Sequence, residues 1–136
     1  MSSNPWDVVS EYVNSLSGLK PLLVIMHGLW VTGEAFLMES KPPVDLIIIA
    51  DNAPVGVRED EVKGLRIKAR FLTPESALSM VEQCDEELIN AIYTGTFIVK
   101  DEEFYKRIEN ALNEQIREGR LTWDSKRGLW VKASLI

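Results

Sequence analysis

Five residues combine types and spacings that could hold a phosphorylated ligand. Gly28 and Gly33 follow a short apolar run, Asp45 stands at the entrance to a second one, and Lys68 and Arg70 lie two apart in an alternating segment. A glycine directly behind a buried strand lets the chain turn sharply or come close to a ligand, so that backbone N–H groups can face a phosphate. Residues two apart on a strand share a face, so Lys68 and Arg70 project together. The same parity places Ile47 beside Asp45, one alkyl group beside one carboxylate. Phosphoryl transfer with two metals needs several anionic oxygens around divalent ions about 4 Å apart, and a lone aspartate is a poor set for that work.

Other reactive side chains are few. His27 is the only histidine, so multi-histidine metal sites are excluded and any histidine-based triad depends on it. It could act as a general base at a strand end, but a partly buried, hydrogen-bonded ring is the commoner role. Thr32 is the nearest hydroxyl, and nothing around it signals activation. Trp30 reads as a cover for the core ahead of a platform for a base. Glu59, Asp60 and Glu61 read as a solvated rim ahead of a metal site. Cys84 precedes Asp85-Glu86-Glu87, the opposite of the electropositive setting a reactive thiol needs, so packing or plain exposure is expected of it.

These residues must be positioned by regular elements. Leu22–Met26 and Leu46–Ala50 are continuous apolar runs bounded by Gly, Pro and Asp, the pattern of strands buried on both faces. Asn4-Pro5-Trp6-Asp7 starts a helix with an Asn cap and Pro at its first position, and Trp6, Val9, Val13 and Leu16 are expected on its inner face. From Leu65 to Phe71 apolar and basic residues alternate, which predicts a strand with Leu65, Ile67, Ala69 and Phe71 inward and Arg66, Lys68 and Arg70 on the other side. Thr73-Pro74 starts a helix with Ala77, Met80, Val81 and Cys84 inward. A second helix runs from about Glu86 to Tyr93, and Thr96–Val99 is extended. Asp101 caps the longest helix, to about Glu118, with Phe104, Ile108, Ala111, Leu112 and Gln115 in one stripe. Residues 120–123 and 129–132 predict a hairpin in which Trp123 and Trp130 pair; such a ribbon needs packing on the body or on a second copy of the chain.

The order of strand, Gly-x-x-x-x-Gly, short helix and aspartate-led strand resembles the core of the minimal nucleotidyltransferase fold. Gly28 and Gly33 match that family's glycines, and Asp45 matches its first acid. The later Thr-Pro-Glu helix, second helix, Gly-x-x-Ile-Val segment and Asp101 extend the resemblance over about residues 5–118. It implies an α/β (α+β) fold with a mixed sheet flanked by helices, followed here by a C-terminal helix and β-hairpin. The chain is expected to form a single domain over 1–136, with the nucleotidyltransferase-like core at 5–100 and the helix and hairpin at 101–136. In the family a serine follows the first glycine, a second acid stands two residues after the first, and a third acid lies on a later strand. This chain has Leu29, then Ile47, then Lys68, Ala69 or Arg70 at those places. The resemblance therefore implies Gly28, Gly33 and Asp45 as nucleotide-binding positions, with no catalytic set beyond Asp45 itself if active, while the basic stripe of Lys68 and Arg70 is expected to retain a nucleotide or phosphate without turning it over. In the family such a domain interacts with a separate helical substrate-binding protein, and a protein partner is one of the contacts expected here beside a nucleotide. Lys68 or Arg70 is expected either to pair with Asp45, a fixed cation in the place of a metal, or to lie on a solvated face near a sheet edge.

Composition narrows the classes. With 136 residues, 46% hydrophobic and 26% charged, the chain has an ordinary globular balance, enough to remove about 68–70% of its unfolded surface from water. A net charge of −6 weighs against general nucleic-acid or anionic-membrane binding. One cysteine excludes an intrachain disulfide and fits a reducing compartment, and no signal segment or membrane span is visible, so a cytoplasmic protein is expected. The expectation is a divergent nucleotidyltransferase-like protein, more a binder than an enzyme, with a nucleotide, a protein partner or a homodimer through the hairpin as its contacts and no cofactor. Two alternatives stand beside it. An active enzyme would use Mg, with Asp45 aided by Asp51 or the Glu59–Glu61 cluster, although Asp51 would lie about 20 Å from Asp45 along an extended strand. A winged-helix nucleic-acid binder would use the helices after Thr73 and the hairpin, but its longest helix is acidic.

Overall fold

The computed structural model describes residues 4–133. Its centre is a five-stranded mixed sheet ordered β3-β4-β2-β1-β5, built from β1 (Pro21–His27), β2 (Val44–Ala50), β3 (Gly56–Val62), β4 (Leu65–Leu72) and β5 (Thr96–Lys100). β1 runs antiparallel to β2 and β5, β2 runs parallel to β4, and β4 runs antiparallel to β3. The apolar runs of β1 and β2 become two of the three inner strands because each has a hydrophobic layer on both faces.

On one face Leu23, Ile25, Ile47, Ile49 and Leu72 pack against α3 (Pro74–Glu82), α4 (Glu86–Thr94) and α5 (Glu102–Arg117). On the other, Val24, Met26, Leu46, Ile48, Ile67, Ala69 and Phe71 meet α1 (Pro5–Asn14) and Trp30 of the one-turn α2 (Leu29–Thr32). Burying each Ile or Leu side chain contributes about 1.5–3 kcal/mol before entropy is counted, so these two layers hold the sheet rigid beneath the site.

The helix starts follow their sequence signals. Asn4 caps α1, Thr73 and Ser76 form a capping box on α3, Asp85 caps α4, and Asp101 caps α5. The inner face of α1 differs from expectation: Trp6 is exposed, whereas Pro5, Val8, Val9, Tyr12 and Val13 are buried. The stripe is rotated because Val8 and Tyr12 share the face of Pro5 and Val9, and Trp6 falls outside that arc. Cys84 is buried between α3 and α4 with φ +59, its amide bonded to Val81 O and that of Asp85 to Met80 O, so the thiol belongs to a helix-ending turn.

Residues 56–62 form a strand where the sequence shows only a polar rim. β3 is an edge strand, held by its ladder to β4 and by a strap from α1. The Tyr12 hydroxyl donates to Asp60 (2.8 Å), and Arg58 Nε donates to the same carboxylate oxygen (2.9 Å). Its charged side chains also discourage edge-to-edge pairing with another chain.

The hairpin of β6 (Leu121–Asp124) and β7 (Leu129–Lys132) pairs Trp123 with Trp130, ring centroids 5.3 Å apart. It docks on α4 through the Asn90 side-chain amide, which accepts from Trp130 N and donates to Trp130 O, both at 2.8 Å. Tyr93 lies against both indoles. Packing on the body thus supplies the support a two-stranded ribbon lacks alone. Among the described residues no helix is long and apolar enough to cross a membrane.

Candidate functional site

The sheet register draws the polar residues of three strands into one row. Asp45 pairs with His27 on β1 and with Lys68 on β4, and Lys68 pairs in turn with Glu59 on β3. One step along, Ile47 stands between Ile25 and Arg70. Asp45, Lys68 and Arg70 share the face covered farther on by α3 to α5, and beyond the end of that cover an open cavity of about 420 Å³ remains. His27, Asp45, Val57, Lys68, Arg70 and Glu87 line it. Glu87 comes from the first turn of α4 and Val57 from β3.

Gly28 is placed by this site. Its φ and ψ of +85° and −153° lie in a region that glycine alone adopts readily, and an added Cβ would stand 2.7 Å from Asp45 Oδ2. The carboxylate therefore rests in space that any other side chain would fill. Gly33 lies apart from the cavity: at φ +92° it ends the one-turn α2, with open space around its Cα.

The two cations differ in their company. Arg70 Nη1 donates to Glu87 Oε1 at 3.1 Å and Nη2 lies 3.9 Å from Asp85 Oδ2, so the guanidinium is tied to the start of α4. The expected pairing with Asp45 is not what Arg70 makes. Lys68, exposed, has no carboxylate within ion-pair distance among the described residues; it neighbours Asp45 across the ladder and stabilises the charge there. The alternative expectation, a polar face next to the sheet edge, describes Lys68 better, since only β3 lies outside β4.

Burial acts on both titratable neighbours. It pushes the Asp45 carboxyl above its ordinary range, against the opposing pull of His27 and Lys68. It also holds the His27 imidazole below its ordinary value, against the charges of Asp45 and Glu87. Both shifts favour the neutral forms. For a carboxyl raised in the folded state, the stabilising contribution is present below the unfolded value of 3.8 and lost as pH rises through the folded pKa. At pH 7 the ionised Asp45 thus costs stability. Asp45→Asn is expected to raise stability at pH 7, the gap to the native protein closing as pH falls toward 4. Thermal melts of both proteins across that range check it; an unchanged or lowered melting temperature at pH 7 contradicts it.

The donor set does not fit a pair of divalent ions. Among the described residues no group of three or more His, Cys, Asp or Glu side chains gathers to hold a metal. Asp51 follows the far end of β2 and lines a separate hollow with Glu75, Asp101 and Glu103. Glu59 lies across Lys68 from Asp45. α5 packs Phe104, Ile108 and Leu112 into the core beside α3.

Sequence reasoning missed Glu87, Asp85 and Val57 as neighbours of this row. The Asp85-Glu86-Glu87 run is an ordinary acidic helix start, and only the placement of the first turn of α4 within reach of the Arg70 side chain shows that two of its acids engage Arg70.

A mixed five-stranded sheet with β1 antiparallel and β4 parallel to β2, covered by helices on both faces, makes an α+β fold. Among solved structures, the chain is similar to a nucleotidyltransferase-like protein from Exiguobacterium sibiricum, with a TM-score of 0.55 and 12% identity; the match covers 84% of this chain and 39% of that one. The likeness at that identity is one of fold. No protein-family model and no curated protein matches the sequence.

Proposed function

We propose that the protein is a nucleotidyltransferase-like binding module without transferase activity, holding a nucleotide in the Asp45 cavity independently of metal. Lys68 contacts phosphate, while Asp45 accepts hydrogen bonds from a sugar hydroxyl or a base amino group. One observation carries this: the position that shares a face with Asp45 on β2 is the fully buried Ile47, and the facing positions on β4 are Lys68 and Arg70. Lysine and arginine neutralise phosphate directly, where carboxylates would need a divalent ion between. Gly28 supports the same site by leaving room for the carboxylate. Gly33 belongs to it only through the turn it closes, and Arg70 only if it exchanges its acidic partners for the ligand.

A thermal-shift series tests this, using nucleotides of each base in EDTA with the native protein and Lys68→Ala. At 100 times its dissociation constant a ligand specific for the folded state adds about 2.7 kcal/mol. The expected result is a raised melting temperature for the native protein and little or none for Lys68→Ala. A flat response to every nucleotide overturns the nucleotide reading.

A protein partner is the second reading. Its specific support is the contiguous exposed trio Phe36, Leu37 and Met38 on the connection before β2, with Leu37 89% exposed. Adjacent apolar side chains left in water mark interaction surfaces more often than isolated ones do.

A further inference from the structure

The charges around the Asp45 cavity decide which nucleotide it can hold, given that it holds one. Four charged side chains line it: Asp45 and Glu87 against Lys68 and Arg70. Arg70 is already committed to Glu87 at 3.1 Å and is near Asp85 at 3.9 Å. His27 lines the same cavity and burial favours its neutral form. Among the described residues, Lys68 is left as the one cation lining the cavity without a carboxylate within 4.0 Å.

A nucleoside triphosphate carries several negative charges, which nucleotide sites ordinarily offset with a divalent ion and several cations. Here the acids are too few and too scattered to hold that ion, and Glu87 and Asp45 would repel the uncovered oxygens. One phosphate matches one lysine. Asp45 and Glu87 then become useful acceptors for the ribose hydroxyls or a base amino group, each accepting and neither donating when ionised.

We infer that the cavity selects a nucleotide bearing a single phosphate over its di- and triphosphate forms, and that Glu87 is a specificity-determining residue, holding Arg70 away and adding its own charge. The inference rests on the proposed nucleotide-binding role and extends it to a ligand class. Glu87 is exposed, in the first turn of α4, with no part in the core, so removing its charge leaves the fold intact.

Calorimetric titration in EDTA with the 5′-mono-, di- and triphosphates of the best-binding nucleoside, on the native protein and on Glu87→Gln, tests it. The native protein is expected to bind the monophosphate at least about tenfold more tightly than the triphosphate. In Glu87→Gln, with Arg70 held less firmly and one negative charge gone, the preference is expected to shrink to about threefold or less. Equal or tighter triphosphate binding by the native protein overturns the inference while leaving the nucleotide reading in place. A monophosphate preference that persists undiminished in Glu87→Gln overturns the role of Glu87. If none of the three forms binds, the inference and the function beneath it fall together.

Discussion

Gly28→Ala is expected to destabilise the protein by about 2–4 kcal/mol, from two separable causes. The first is backbone: φ +85° with ψ −153° is a conformation that costs a residue with a Cβ about 1–3 kcal/mol. The second is contact: the new Cβ would stand 2.7 Å from Asp45 Oδ2, so the carboxylate must swing away from its place beside Lys68. A double-mutant cycle separates them. Asp45→Ala removes the contact but not the strain, so Gly28→Ala should cost less in that background, with a coupling of about 0.5–2 kcal/mol. Urea unfolding of the four proteins measures it. Strict additivity would mean that Gly28 and Asp45 do not compete for the same space.

Gly95→Ala is expected to be at least as severe, about 3 kcal/mol or more, for a different reason. Gly95 has φ −75°, open to any residue, so there is no backbone strain to add. Its added Cβ would fall 2.4 Å from Ala91 O, 2.5 Å from Ile25 Cγ2 and 2.9 Å from Met26 O. Two of those atoms are backbone, one in the last turn of α4 and one in β1, and neither can yield without separating the helix from the sheet. The same separation would disturb Glu87 and the hairpin, both carried on α4. Gly18→Ala is the control, since nothing lies within 4 Å of its Cβ position, and it should change stability by no more than about 0.5 kcal/mol. A lowered urea midpoint with an unchanged slope is the expected signature for Gly95→Ala. A midpoint close to that of the control would show that α4 sits farther from β1 than described.

What could be read from the sequence follows from how each element is specified. β1, β2 and β4 announce themselves because their periods are local: unbroken apolar runs for strands covered on both faces, and strict alternation for a strand with one wet side. The caps at Asn4, Thr73 and Asp101 and the tryptophan hairpin are equally local. β3 carries neither pattern. Its residues are mostly exposed, and it is a strand because β4 offers an open edge and Tyr12 reaches across 48 positions to Asp60. The candidate site divides in the same way. Asp45, Lys68 and the opposing glycine were visible as types and spacings, but the company each keeps was not. Arg70 finds Glu87 17 positions away on another element, and His27 meets Asp45 only through the antiparallel register of β1 with β2. Trp6 shows the limit of a helical stripe, since the rotation of α1 is set by what it packs on.

Under the proposed function the Asp45 cavity binds a nucleotide through Lys68 and without metal. The most direct test is a calorimetric titration of one nucleotide into the native protein in EDTA, repeated in magnesium, with Lys68→Ala and Asp45→Asn alongside. Affinities in EDTA and magnesium are expected within about threefold, less than about 0.7 kcal/mol apart, and binding is expected to be lost in Lys68→Ala. Binding that appears only with magnesium, survives in Lys68→Ala and vanishes in Asp45→Asn would contradict that function and make Asp45 a metal ligand of an active transferase.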